Sequence, residues 1–246
     1  MTALRITVAS SLDFGATACR ELLALAGEFE APLLGLATGN TPIPLYETLA
    51  SRVTAGEVSL TRFRQPFAID EYVVSEPAHP CANRAFFARY WESIAGAPSV
   101  LQFDTDAPDL QDEAIRLAAA LADAGGLDVA VLGIGLNGHL AFNEPGTERG
   151  QSAGVVALTP RTRESAAACF GANVPTHGLT LGLAELLSAR RVLLLANGAE
   201  KADIVSRALE GAVTAECPAS FLQEHPACSV VLDTAAAKAL TRIRAT

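Results

Sequence analysis

The residues best suited to chemistry are gathered in one stretch, 127–146 (LDVAVLGIGLNGHLAFNEPG), where an apolar run stops in a glycine-rich turn carrying Asn137, His139, Asn143 and Glu144. Imidazole and carboxylate are side chains that trade protons with a bound molecule, and both lie just past what reads as the carboxyl end of a buried strand, 128–132. In open α/β sheets ligands settle in the crevice beyond such ends, so His139, Asn143 and Glu144 are placed to face one. Gly133 and Gly135 let the backbone turn sharply and approach a ligand without side-chain hindrance. A lone histidine is more often a helix cap and a lone glutamate a solvated loop acid. The density of Gly, Asn, His and Glu behind one buried strand is what favours a site.

Two other turns and one lysine have a similar character. The apolar run 33–37 ends in Thr38, Gly39, Asn40, Thr41 and Pro42, ahead of a stretch, 43–55, that reads as a helix. Strand, small polar turn and helix with proline in its first turn is the layout of an anion site, because free backbone N–H groups and the positive end of the helix dipole converge there. An ordinary βα turn with threonine caps has the same spacing. The run 67–69 ends in Asp70-Glu71-Tyr72, and two adjacent acids after a buried strand are costly unless exposed, paired or used. Lys201 falls in the first turn of an expected helix, 199–209, where a cation opposes the dipole unless an anion sits there too; otherwise it is a solvated helix lysine.

These turns need a frame that brings strand ends together. Strands are expected at 4–9, 33–37, 67–69, 100–103, 128–132, 155–158, 191–196 and 228–232, with a further short buried piece within 177–183. Helices are expected at 12–29, capped by Ser10 or Ser11, and at 43–55, 80–94, 107–124, 161–170, 199–209 and 235–243, with a short one at 218–222. The aromatic face of the third (Phe86, Phe87, Tyr90, Trp91) reads as core packing. Such alternation indicates a single α/β domain over residues 1–246: a doubly wound, mainly parallel sheet with helices on both faces, a modified Rossmann-like arrangement.

Composition narrows the function classes. A chain of 246 residues, half hydrophobic and 18% charged, can bury ~75% of its unfolded surface, and no low-complexity tract suggests a linker. The net charge of -9 argues against nucleic acid or an anionic membrane as partner, since both need clustered Lys and Arg. No uncharged stretch reads as a membrane span or signal peptide, so a soluble, cytoplasmic protein is expected. Cys19, Cys81, Cys169, Cys217 and Cys228 are scattered and contain no C-x-x-C pair, which reads as reduced, mostly packed thiols. A homo-oligomer is compatible with all of this.

With these pieces placed, the sequence resembles the hexosamine-6-phosphate deaminase/isomerase family over nearly its whole length. The resemblance is carried by LATGNTP (36–42), IDEY (69–72), LGIGLNGHLAFNEPG (132–146), LTLG (179–182), Lys201 after NGAE, and PAS near Pro218. The G-x-N/D-G-H opening is shared with 6-phosphogluconolactonases, whereas AFNEP marks the amino-sugar branch. The resemblance implies conversion of an amino-sugar phosphate, glucosamine 6-phosphate or its galacto epimer, to a ketose phosphate and ammonia without metal or organic cofactor. It implies His139 as the acid/base that opens the ring, Asp70 as the base carrying a proton between C2 and C1, and Glu144 as the acid orienting the histidine. It further implies Thr38, Gly39, Asn40, Thr41 and Lys201 as the phosphate cradle. Asn137 stands where long, allosteric members carry an aspartate that assists ring opening, so the histidine network is expected to rest on Glu144 alone. Ala168 replaces a phosphate-contacting arginine, for which Arg161 or Arg163 could substitute. Gly154 and Val156 replace basic effector-binding residues, so no activation by N-acetylglucosamine 6-phosphate is expected. The competing readings are a 6-phosphogluconolactonase and a non-catalytic sugar-phosphate sensor.

Overall fold

In the computed structural model, which describes residues 4–74 and 79–241, the chain runs β1 (Arg5–Ala9), α1 (Phe14–Ala26), β2 (Leu34–Leu36), α2 (Ile43–Thr54), β3 (Phe67–Ala68), β4 (Asp70–Tyr72), α3 (Asn83–Tyr90) and α4 (Leu110–Asp123). It continues through β5 (Val129–Gly133), β6 (Gly154–Ala157), α5 (Pro160–Phe170), β7 (His177–Thr180), α6 (Leu183–Leu187), β8 (Arg191–Ala196), α7 (Ala202–Glu210) and β9 (Cys228–Asp233). Short 3-10 helices cover Ala199–Lys201 and Pro218–Glu224. Six strands form a sheet in the order β1-β9-β8-β5-β2-β3, and every adjacent pair in it is parallel.

The period of two along the buried strands divides the core into two layers. Val129 and Val131 of β5, with Leu193 and Leu195 of β8, meet Phe14, Leu22, Leu45, Tyr46, Leu49 and Phe87 from α1, α2 and α3. The intervening Ala130, Leu132, Val192 and Leu194 face Leu117 and Leu121 of α4 and Val205 and Ala208 of α7 on the opposite side. Each fully buried leucine contributes about 1.5–3 kcal/mol, so the centre of this sheet is the rigid part of the molecule. The doubly wound parallel α/β arrangement expected from the alternation is therefore observed.

From β2 the chain steps outward to β3, but from β5 it steps the other way, to β8 and β9. The winding direction reverses between β2 and β5, which opens a crevice beyond their carboxyl ends. The turns that start at Thr38, Ile134 and Asn197 all leave from neighbouring strand ends at that crevice.

Several expectations need correction. A second sheet, β4-β7-β6, is antiparallel. The run expected as one strand at 67–69 is cut short at Ile69, after which Asp70–Tyr72 leave the parallel sheet to pair with β7. Residues 100–103 make no strand, only a single bridge from Leu101 to Phe67. The expected helix 80–94 is limited to Asn83–Tyr90, since Ala82 is extended and the chain turns after Trp91. Asp13, not Ser10 or Ser11, holds the cap position of α1, and the Ser10 hydroxyl bonds to its carboxylate instead. Residues 234–239 are turns, not helix, because the Asp233 carboxylate takes the Ala236 N–H; the end of that expected helix lies outside the described residues.

The cysteines also differ from expectation. Cys19, Cys217 and Cys228 are free and buried, but Cys81 and Cys169 form a disulfide, with Cα atoms 5.9 Å apart. The bridge fastens the C-terminal end of α5, a helix whose buried apolar side chains are only Ala166 and Phe170 among the described residues. With so little apolar anchoring, α5 is held at its two ends.

Candidate active site

The turn after β5 is built around the His139 ring. A Cβ at Gly135 would run into that ring, so only glycine lets the imidazole lie across the backbone. Backbone bonds from Gly135 N to His139 O (3.0 Å) and Gly138 N to Gly135 O (2.9 Å) close the turn. Ala141 follows with φ of 50°, a conformation non-glycine residues rarely adopt, and such strain persists only where the surroundings impose it. Asn143 imposes it: its amide donates to Leu140 O and Leu181 O, each at 2.9 Å. At 1% exposure, Asn143 is thus an internal staple, not a group facing a ligand.

Glu144 sits behind the histidine. Its Oε2 lies 3.4 Å from His139 Nδ1 and accepts from Asn137 Nδ2 at 2.6 Å and from the Thr159 hydroxyl at 3.2 Å. Its Oε1 accepts from Thr159 N at 3.2 Å. Burial alone would raise this carboxyl, but the hydrogen bond and charge of His139, with donors from Thr162 and Asn137, bring it down to about 2. The carboxylate is therefore a fixed negative charge beside Nδ1, where the Thr162 hydroxyl also stands at 3.2 Å. Both contacts engage Nδ1 and leave Nε2 as the nitrogen available to a substrate. Asn137 is more than a silent replacement: it holds Glu144 Oε2 while its own oxygen accepts the His139 N–H at 3.2 Å.

Asp70 opens β4, paired across to Thr180 of β7. Burial, then the neighbouring Glu71 charge, push its carboxyl up to about 8. Glu71 turns away and accepts the backbone N–H groups of Tyr72, Asn83 and Arg84, each at 2.8 Å. Asn83 donates its side-chain amide to Asp70 Oδ1 at 2.7 Å. Thr180 also receives Phe142 N at 3.2 Å, tying β7 to the histidine turn. Tyr72 packs against Phe142 with the rings tilted by 57° and their centres 4.8 Å apart. Its hydroxyl is pushed up by burial and then by the charges of Asp70, Glu71 and Glu144. One phenol thus lies in the fields of Asp70 and Glu144 together.

The 38–41 turn begins where Tyr46 of α2 donates to Ala37 O at 2.8 Å, deep in the core. Gly39 has φ of 85° with open space at its Cβ position, so its backbone conformation selects glycine. Helix α2 adds less to an anion site than its layout suggests. Pro42 and Pro44 lack N–H groups and Ile43 N donates to Asn40 O, which leaves the turn's own N–H groups and the Thr38 and Thr41 hydroxyls. Lys201 is not a solvated helix lysine. Its Nζ donates to Ile134 O at 2.6 Å, just past β5, and its pKa is lowered by burial, with the Arg161 charge adding to that effect against Glu200. Among the described residues, no group of three or more His, Cys, Asp or Glu is arranged to hold a metal ion.

Asn83, Thr159 and Thr162 are the side chains that sequence reasoning overlooked. Thr159 could have been found, since threonine before proline is an N-cap followed by proline at the first helical position. Nothing local connects Asn83 to Asp70 or Thr162 to His139.

Residues 8–231 match the model of a family described as glucosamine-6-phosphate isomerases/6-phosphogluconolactonase. A glucosamine-6-phosphate deaminase of Beutenbergia cavernae is 39% identical over 240 residues, covering 96% of this chain and 92% of the relative. The solved structure of a monomeric glucosamine-6-phosphate deaminase superposes with a TM-score of 0.91 at 30% identity, covering 96% of this chain and all (100%) of that one. The 6-phosphogluconolactonase of Trypanosoma brucei shares the fold, with a TM-score of 0.74 at 22% identity, covering 98% of this chain and 100% of that one. The chain belongs to the glucosamine-6-phosphate isomerase/6-phosphogluconolactonase family.

Proposed function

We propose that this chain is an enzyme of amino-sugar breakdown that converts glucosamine 6-phosphate and water to fructose 6-phosphate and ammonia, acting as one domain. The relatives at about 40% identity carry the deaminase name, and the gluco epimer is the substrate in that name. The phosphate lies in the 38–41 turn against Lys201, with Arg161 as the second cation in place of the arginine absent at Ala168. Burial and the Arg161 charge resist the ionisation of Lys201, and a dianion bound there relieves that cost.

His139 Nε2 then takes the O1 proton and returns it to the ring oxygen as the C1–O5 bond breaks, with Glu144 stabilising the imidazolium through Nδ1. Asp70 removes the C2 proton; the C–H pair becomes the C1=C2 bond and the C1 carbonyl oxygen takes a proton from the substrate's ammonium group, which frees the nitrogen lone pair. Asp70 hands its proton to C1 while the nitrogen lone pair forms C2=N. Water adds at C2, the C–N bond breaks and ammonia leaves. A carboxyl held at about 8 gives and takes a proton with little driving force lost either way, which is the poise a shuttle needs.

That buried carboxyl, joined to the histidine turn through Thr180 and Tyr72, is the observation that carries the reading. Lactone hydrolysis has no carbon-bound proton to move, so it gives Asp70 nothing to do. Assaying ammonia release from the gluco and galacto amino-sugar phosphates beside hydrolysis of 6-phosphogluconolactone separates the readings: ammonia from the gluco epimer supports this one, and lactonase activity alone overturns it.

A cavity of about 410 Å³ beside Asn143 and Thr180 is lined in part by Gln111, Thr147, Ser152, Gly154 and Val156 and has no Lys or Arg in its wall. An acetylated sugar phosphate would find no cation there, which supports the absence of activation by such an effector. No helix among the described residues is long and apolar enough to cross a membrane. Sugar phosphates are charged and do not cross lipid unaided, so we place the enzyme in the cytoplasm with its substrate. A disulfide is unusual in that compartment.

A further inference from the structure

We propose that Asn83 is a positioning residue for the proton shuttle: it occupies one oxygen of Asp70, so that the other oxygen alone takes the proton from C2 and delivers it to C1. The inference rests on the assignment of Asp70 as that shuttle.

The geometry is specific. Asn83 is 5% exposed, and its amide donates at 2.7 Å to Asp70 Oδ1 and at 3.0 Å to Asp70 O. An amide N–H is a donor only, so Oδ1 cannot carry a proton along that bond and protonation falls on Oδ2. Transfer between adjacent carbons on one face requires the same oxygen to receive and release the proton. A carboxyl free to rotate would present either one.

How Asn83 reaches this place explains Glu71, to which sequence reasoning gives no role. Asn83 and Arg84 are the first residues of α3, and the residue at the cap position, Ala82, has no acceptor for their N–H groups. Glu71 supplies both oxygens from β4, with Oε1 on Asn83 N and Oε2 on Arg84 N. A carboxylate at a helix N-terminus is favoured by the dipole as well. Because Glu71 follows Asp70 directly, the clamp fixes the start of α3 in register with the shuttle and sets Asn83 over it. A purely structural amide would need only the Asp70 carbonyl; this one also engages the reacting side chain.

The donor favours the ionised form of Asp70 and so opposes the burial that resists it. Glu71 and Tyr72 on its own strand are the titratable groups coupled to Asp70; Arg84 on α3 acts on Glu71, and Glu144 on the turn after β5, paired with His139, acts on Tyr72. β7 pairs through the uncharged Thr180 and brings only His177 at its far end. All of these are common to parent and variant, so the difference between the two isolates Asn83.

The test is the pH–rate profile of Asn83→Ala against the parent, with Asn83→Ser, which keeps a short donor, as the second variant. Loss of one charge-assisted hydrogen bond corresponds to about one to two pH units. The limb of kcat on which the base must ionise should therefore move up by that amount in Asn83→Ala and by less in Asn83→Ser, with KM within about twofold of the parent. A uniform fall in kcat with an unmoved limb overturns the proposal, as does a rise in KM alone. In the unmodified, substrate-free enzyme, the Asn83 side-chain NH₂ resonances should titrate with the same midpoint as kcat/KM; resonances that ignore that midpoint overturn it even if neither variant folds. Asp70→Asn separates the two levels: retained C2 proton exchange there removes the shuttle itself, whereas lost exchange with an unmoved Asn83→Ala limb removes only Asn83.

Discussion

Replacing Asp70 by asparagine should abolish the reaction and stabilise the protein, and the stabilisation should depend on pH in a defined way. The carboxyl goes from its ordinary 3.8 to about 8 on folding, because burial and the Glu71 charge resist its ionisation. A raised folded-state pKa contributes stability that is complete below about 3.8 and is lost as pH rises toward 8. At about 1.36 kcal/mol per pH unit, the loss by pH 7 is on the order of 4 kcal/mol. Asparagine has the shape of the neutral acid and no proton to lose, and its oxygen can still receive Asn83 Nδ2. Asp70→Asn should therefore match the parent near pH 4 and exceed it progressively above, reaching about 10 °C in Tm at pH 7 for a chain of this size. Melting curves at three pH values measure this, and solvent deuterium incorporation at C2, followed by NMR, reports the chemistry. Parallel melting curves for the two proteins would show that Asp70 is not held against ionisation. Undiminished deuterium exchange would remove it from the proton path.

Asn137→Asp puts a second carboxylate where an amide now sits 2.6 Å from Glu144; the pair must share a proton, so the acidic limb of kcat/KM should rise by more than one pH unit. An unchanged limb would mean that Glu144 has no part in the rate-determining protonation state. Lys201→Ala should raise KM at least tenfold and lower kcat much less, because a phosphate contact is uniform through the reaction, and steady-state kinetics showing a pure kcat loss would contradict that placement. Cys81→Ser opens a bridge across 88 residues and should cost about 4.6 kcal/mol by chain entropy. Equal Tm values with and without a dithiol reductant would show that the bridge does not form.

How much of this was legible in the sequence depended on whether the cause was local. β5 and β8 announced themselves because a strand buried on both faces is a continuous apolar run, and the glycines after them mark turns by backbone necessity. The crevice followed from strand–helix alternation. The antiparallel sheet did not, since Asp-Glu-Tyr has none of the alternation of a strand and is held in one only by β7. Val100 to Phe103 looked like a strand by composition, yet only Leu101 finds a partner. Sequence separation hid the pairing of Cys81 with Cys169 and the grip of Thr159 on Glu144. Asn137 reads as a loss because its type differs from the family's aspartate; the structure makes it a donor that adds to His139 and Thr162 in favouring the ionised glutamate.

The central claim is that one crevice brings together Asp70 on β4, His139 after β5 and a phosphate grip at 38–41 with Lys201. It is tested most directly by a crystal structure with the reduced, open-chain amino alditol 6-phosphate bound. The account predicts phosphate oxygens on the 38–41 N–H groups and Lys201 Nζ, Asp70 Oδ2 within about 3.5 Å of both C1 and C2, and His139 Nε2 in hydrogen-bond contact with O5. A ligand whose C1 and C2 lie out of reach of Asp70 while its phosphate occupies that turn would contradict it.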